Sequence, residues 1–156
     1  MTPLDNNDAG GCGTCRANRG ELRTPGGVIY EDQLWRVEHK LEPLQIAGWP
    51  VAKPLRHVTA FAELTEDEAA AFGPLMRRVM SALTKVVSPA KVYLCLLAEQ
   101  KGFDHVHFHV IPRAPDLPER FHGMAILHYD ASPTWTEAET VAQKVQRRLD
   151  PGVDSS

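Results

Sequence analysis

Short runs of alternating or continuous apolar residues, one long amphipathic stretch of helical period and a second near the C-terminus predict an α+β protein. The expected architecture is a mostly antiparallel five-stranded sheet with one long helix and one C-terminal helix. At 156 residues the chain suits a single domain. That domain is placed over 11–149, with polar ends, 1–10 and 150–156, expected to be mobile because they have nothing to bury.

The elements follow in order. Val28-Ile29-Tyr30 and Leu34-Trp35-Arg36-Val37, separated by Glu31-Asp32-Gln33, read as a hairpin. A third strand runs from Pro50 to Lys53. Thr65-Glu66-Asp67-Glu68 is a capping box, and Phe72, Leu75, Met76, Val79, Met80, Leu83 and Val86 recur at helical spacing until Ser88-Pro89 stops them. These residues read as core. Val92 to Leu97 is a continuous apolar run, as expected of a buried central strand in which Cys95 is a packed thiol. Glu99 to Gly102 turns the chain into a fifth strand, Phe103 to Pro112. The closing helix, about Thr136 to Leu149, turns Val141, Val145 and Leu149 inward before Asp150-Pro151-Gly152 ends it.

Composition narrows the function. With 43% hydrophobic and 24% charged residues the chain is an ordinary globular protein, and a net charge of −3 argues against a basic nucleic-acid platform. Any phosphate it binds must be captured locally. No apolar run reaches the roughly 18 residues of a membrane span, and the N-terminus lacks the basic-then-apolar layout of a signal peptide, so a cytoplasmic protein is expected. Three cysteines, an odd number, fit a reducing compartment better than a disulfide framework.

Two features carry chemistry. In Phe103-Asp104-His105-Val106-His107-Phe108-His109-Val110, three histidines alternate with apolar residues. On a strand they share one face while Val106, Phe108 and Val110 pack the other. Adjacent members stand about 6.6 Å apart at about 3.3 Å per residue. One metal ion can recruit an adjacent pair but hardly all three, so the row must divide its labour among ligand, nucleophile and anion donor. The second feature is Cys12-Gly13-Thr14-Cys15, whose spacing suits a redox dithiol, half of a zinc site or two unpartnered thiols. A redox motif should follow a strand inside a βαβ unit, whereas this one lies in a glycine-rich N-terminal segment. Zinc takes four ligands, and His57 and His105 are available.

The alternation ending His109-Val110-Ile111-Pro112-Arg113 resembles the signature of the histidine triad (HIT) family of nucleotide hydrolases and transferases, His-φ-His-φ-His-φ-φ. Gly48-Trp49-Pro50-Val51-Ala52-Lys53-Pro54-Leu55-Arg56-His57 is similar to the family's Gly-His-x-Leu-Val-x-Pro-x-Arg-His strand, departing at Trp49, where histidine is usual. The resemblance spans residues 12 to about 113 and implies a HIT-like fold. It further implies zinc held by Cys12, Cys15, His57 and His105, a structural site because four protein ligands leave no open position. His107 is then the nucleophile that attacks the α-phosphorus of a nucleotide, forming a nucleotidyl-histidine intermediate, and His109 contacts a phosphate or leaving-group oxygen.

Other positions follow from the same resemblance. Family members carry Gln-Ser/Thr-Val before the triad, where this chain reads Glu99-Gln100-Lys101-Gly102-Phe103-Asp104; Gln100 or Lys101 substitutes for the phosphate-binding side chain. Glu42 is the candidate for the ribose hydroxyls. Ile29 and Trp35 line a base cleft or pack the core. Arg56 and Arg113 face phosphate or cap the sheet edge. His122 and His128 receive no role, and 114–135 carries specificity or a dimer contact. The expected protein is a homodimeric, zinc-stabilised enzyme acting on a dinucleoside polyphosphate or nucleoside phosphoramidate. The alternatives are a non-catalytic nucleotide-binding module and a metallohydrolase whose triad histidines hold a catalytic metal.

Overall fold

The computed structural model describes residues 11–149; the two polar ends, 1–10 and 150–156, lie outside the described residues. A short helix, α1 (Gly13–Asn18), precedes the hairpin of β1 (Val28–Glu31) and β2 (Trp35–His39). The Asp32 carboxylate closes that hairpin by accepting the backbone N–H groups of Leu34 and Trp35, each at 2.7 Å. β3 (Pro50–Pro54) pairs antiparallel with β2; β4 (Lys91–Leu96) and β5 (Phe108–Arg113) complete a five-stranded antiparallel sheet of order β1-β2-β3-β5-β4.

The helices cover one face. In α2 (Glu66–Val87) the capping box forms as the sequence predicts: Thr65 Oγ1 accepts the Glu68 N–H at 3.1 Å and the Glu68 carboxylate accepts the Thr65 N–H at 2.8 Å. Leu75, Met76, Val79 and Leu83 point from α2 into the core, and α3 (Trp135–Leu149) adds Ala142, Val145 and Leu149. They meet Trp35, Val37, Ala52, Val106, Phe108 and Val110 on the sheet. On the opposite face Trp49, Ile111, Leu117 and Ile126 form a smaller core under the 3-10 turns Glu119–Phe121 and Gly123–His128. His109 alternates with Val110 and so shares this second face with Ile111, as Lys53 does with Val51.

Two glycines are positional. Gly48, at φ +82°, leads into β3 where an added Cβ would stand 2.8 Å from Val141 Cγ1. Gly13 opens α1 against Phe103, whose ring would lie 2.2 Å from a Cβ there.

Two sequence expectations need correction. Val92–Leu97 was expected at the centre of the sheet, yet β4 is its outer edge, with Leu94 40% and the following Leu97 45% exposed. Its apolar run reflects cover on both faces, Val92 and Leu96 toward the helices and Tyr93 and Cys95 toward the smaller core. It does not report position in the strand order. The triad strand was expected from Phe103, but β5 begins at Phe108; β3 ends at Pro54, which has no N–H to extend the ladder. The chain before Phe108 is tied elsewhere, the Val106 N–H donating to the Val58 carbonyl at 2.8 Å. Among the described residues no helix is long and apolar enough to cross a membrane.

Candidate active site and metal centre

The histidine row splits at its irregular start, His105 from His107 and His109. His105 turns inward and is fully buried, its ring 5.0 Å from that of His57. His107 and His109 stand ring to ring at 5.0 Å, closer than the spacing expected of a regular strand, and face a cleft.

The buried pair meets the cysteines. Cys12 caps α1, its Sγ accepting the Cys15 N–H at 3.4 Å, and the Gly13 N–H donates to the Gly102 carbonyl at 2.7 Å, which ties α1 to the turn before the triad. Cys15 Sγ lies 3.4 Å from His57 Nδ1 and 3.2 Å from His105 Nδ1. One ligand atom each from Cys12, Cys15, His57 and His105 falls within 4.8 Å of the others, a set that can hold a metal ion. Tetrahedral zinc places its ligand atoms about 3.3–3.8 Å apart, so the cluster needs only a small contraction. The tautomer agrees. His105 Nε2 sits 3.0 Å from the Pro54 carbonyl, which can only accept, so Nε2 carries the proton and Nδ1 keeps its lone pair for the cluster.

The cleft, of about 210 Å³, is lined by His107, His109, Lys40, Lys53, Glu42, Gln100, Thr14, His39, Leu41 and Phe103 among others. His107 Nδ1 donates to the His105 carbonyl at 2.8 Å, which leaves the Nε2 lone pair free. His109 Nδ1 accepts the indole N–H of Trp49 at 3.0 Å. Burial holds both imidazoles below the ordinary histidine range: His107 is lowered further by Lys53, against the carbonyl bond that raises it, and His109, with His107 and Lys40 adding repulsion, is pushed down to about 4. Both are neutral near pH 7.

Two cations flank this pair. Lys53, 4% exposed, is ion-paired with Glu38 at 2.6 Å, and Glu38 also binds Arg36 at 2.7 Å. Burial depresses Lys53, and Glu38 opposes that shift. Lys40 donates to the carbonyls of Leu41 and Pro43, at 3.2 and 2.7 Å, and is likewise lowered by burial. His39 Nε2 accepts the backbone N–H groups of Gly48 and Trp49 at 3.1 and 3.2 Å and so fixes the start of β3.

Of the residues singled out from sequence, the structure gathers Cys12, Cys15, His57 and His105 in one cluster and His107, His109, Gln100 and Glu42 around one cleft. Ile29 and Trp35 are a correction. They are 4% and 0% exposed in the helix-side core, Trp35 donating its indole N–H to the Glu68 carbonyl at 3.1 Å, and neither lines the cleft. Strand alternation turns them toward α2 and α3. Arg56 binds Glu68 and the Glu63 carbonyl, and Arg113 lies 2.9 Å from His122 Nε2; both are away from the cleft, and Lys101 is exposed outside it. Sequence reasoning missed Lys40, Lys53, His39 and the Trp49 partnership. Period-two alternation through Trp49, Val51 and Lys53 was the available signal, since it puts all three on the face of His109.

No protein-family model matches the chain. The sequence is 31% identical over 108 residues to an uncharacterised HIT-like protein of Methanocaldococcus jannaschii, an alignment covering 65% of this chain and 78% of that one. The fold is similar to that of a hypothetical histidine triad nucleotide-binding protein of Sulfolobus tokodaii, with a TM-score of 0.68 at 20% identity over 88% of this chain and 91% of that one. It is also similar to that of a zinc-bound histidine triad family protein of Mycobacterium smegmatis, with a TM-score of 0.67 at 18% identity over 88% and 92%. With the triad and its partner strand in place on this fold, the chain belongs to the HIT-like family.

Proposed function

We propose that the protein is a nucleotide hydrolase or nucleotidyl transferase in which His107 is the nucleophile. The observation that carries this reading is the His107 Nδ1–H bond to the His105 carbonyl, which presents an unprotonated Nε2 to a cleft flanked by two lysines. Nε2 attacks the α-phosphorus, an N–P bond forms, and the bond to the leaving group breaks with its electron pair departing on that group. Water then attacks the same phosphorus and breaks the N–P bond, so one hard displacement becomes two easier ones. His109 donates to a non-bridging oxygen as charge grows there. Lys40 and Lys53 offset the charge of the phosphates, Gln100 supplies a further donor, and Glu42 accepts from the ribose hydroxyls.

Cys12, Cys15, His57 and His105 fit zinc by donor chemistry and spacing. A metal there supplies cross-linking free energy that clamps α1 onto the entry to β5, and four protein ligands leave no position for water or substrate. Among the described residues, His107 and His109 join no group of three or more metal-ligating side chains, which favours this reading over a metallohydrolase. The open edge of β4, with Leu94 and Leu97 exposed, supports a homodimer joined sheet to sheet. The odd number of cysteines suits the cytoplasmic setting that belongs to this reading.

The test is a substrate panel of adenosine phosphoramidate, diadenosine polyphosphates and guanosine analogues, run on the wild type and His107→Ala. Turnover in the wild type, loss of it in the variant, and unchanged metal content and fold are expected. Tight nucleotide binding with no product on prolonged incubation would select a binding module, and metal loss from His107→Ala would overturn the division of labour along the row.

A further inference from the structure

Trp49 stands where the resemblance puts histidine, and the two side chains differ in one decisive respect. Imidazole can donate or accept at a given nitrogen, whereas indole can only donate. The Trp49 N–H points at His109 Nδ1 at 3.0 Å, the rings meeting nearly edge-on at 77°. The indole cannot easily turn away. It is almost fully buried against Ile111, Leu117 and Ile126, its backbone N–H is held by His39 Nε2, and the Lys40 ammonium lies 5.4 Å over its ring.

We infer that Trp49 is a positioning residue that locks His109 in the Nε2–H tautomer, making it a fixed donor to bound phosphate and denying it the role of proton carrier. Moving the proton to Nδ1 would set two N–H groups against each other and strand a buried indole donor. Forming the imidazolium does the same, because it too requires a proton on Nδ1. His107 is held in the opposite tautomer by the His105 carbonyl, so a lone pair and an N–H sit side by side on neighbouring rings.

The lock has a consequence for substrate class, which rests on the reaction proposed above. When a phosphoanhydride is cleaved, the leaving phosphate departs as a stable anion and needs no proton. When a phosphoramidate P–N bond is cleaved, the amine must be protonated as it leaves. A His109 that cannot relay protons therefore favours anhydrides, with the dinucleoside polyphosphate the better of the two substrate classes.

Long-range 1H–15N spectra of the wild type read the tautomer directly. His109 is expected to show a pyridine-type Nδ1 and a pyrrole-type Nε2 across about pH 5 to 8; an Nδ1–H signal, or a mixture, would overturn the inference. In Trp49→Phe, which keeps a ring but removes the N–H, the tautomers should mix and anhydride turnover should fall about tenfold to a hundredfold. An unchanged tautomer with unchanged turnover would count against the lock. Wild-type kcat/KM should favour diadenosine polyphosphate over adenosine phosphoramidate by about a hundredfold; equal rates, or a reversed preference, would sink the substrate assignment. The failures are distinguishable. A locked His109 in a protein that turns over neither substrate refutes the nucleotide reading alone, while turnover with an Nδ1–H His109 refutes the lock alone.

Discussion

The two halves of the histidine row differ in what encloses them. His105 is walled in by Cys15, His57 and the Pro54 carbonyl, while His107 and His109, two and four residues later, open on a cleft with Lys40 and Lys53 beside them. The same side chain thus joins a closed cluster of donor atoms at one end and lines an open cleft at the other. The difference lies in hydrogen-bond partners: His105 spends its Nε2 proton on a carbonyl and turns Nδ1 to sulfur, whereas His107 spends its Nδ1 proton and turns Nε2 to the cleft. Which nitrogen is exposed decides which chemistry is possible.

The sharpest way to break this contrast is at its closed end. Chelation or Cys15→Ala should forfeit metal-binding free energy on the order of 10 kcal/mol. At about 2–4 °C per kcal/mol the melting temperature should fall by roughly 20 °C or more, as differential scanning calorimetry with parallel metal analysis would read. A shift of a few degrees would mean that the cluster is not a structural metal site.

At the open end, His107→Ala should lower turnover on the order of 10⁴-fold while leaving the melting temperature and metal content near those of the wild type. The two substitutions share no readout: one moves stability, the other rate. If each moved both, the halves would not be separate devices.

Lys53→Met probes the wall between them. Removing the ammonium strands the buried Glu38 carboxylate, which retains only Arg36, so stability should fall by about 3 kcal/mol in urea titrations, together with weaker nucleotide binding. Double substitution of Lys53 and Glu38 should restore much of the stability but not the binding. Full recovery of affinity would show that Lys53 serves only its ion pair.

The smallest effect is in pH. His109 is pushed down to about 4 by burial, with His107 and Lys40 contributing, from an ordinary value of 6.5. Between those limits the unfolded chain binds the proton that the folded one refuses, so stability is fully present above about pH 6.5 and is lost as pH falls toward 4. His109→Asn should lose less on acidification over that window than the wild type in paired thermal melts. Parallel curves would show that His109 is not the neutral, buried group described.

Much of this was legible in the primary structure because it is local. The Thr65–Glu68 capping box, the Asp32 hairpin and the period of Leu75, Met76, Val79 and Leu83 each specify their element within a few residues. The triad and Cys12–Cys15 stand out by spacing, and the resemblance then chooses among the chemistries that spacing leaves open. Less legible were positions whose meaning depends on a distant partner. Ile29 and Trp35 are apolar strand residues whether they line a cleft or a core, and only the packing of α2 and α3 settles it. The apolar run of β4 looks central although the strand lies at the edge, because side-chain pattern reports which faces are covered and not which neighbours are hydrogen-bonded.

By itself, the amino-acid sequence determined the α+β class, the extents of α2 and α3 and the identities of the histidines and cysteines, since these rest on periodicity and caps within short windows; α1, six residues with no apolar period, was not among them. Tertiary structure decided which histidine faces sulfur and which faces the cleft, that Lys53 stands beside them, and that Trp49 holds one ring nitrogen as an acceptor. Those outcomes depend on contacts between residues up to 90 positions apart, where an imidazole's tautomer is set by its partner and not by its neighbours in the chain.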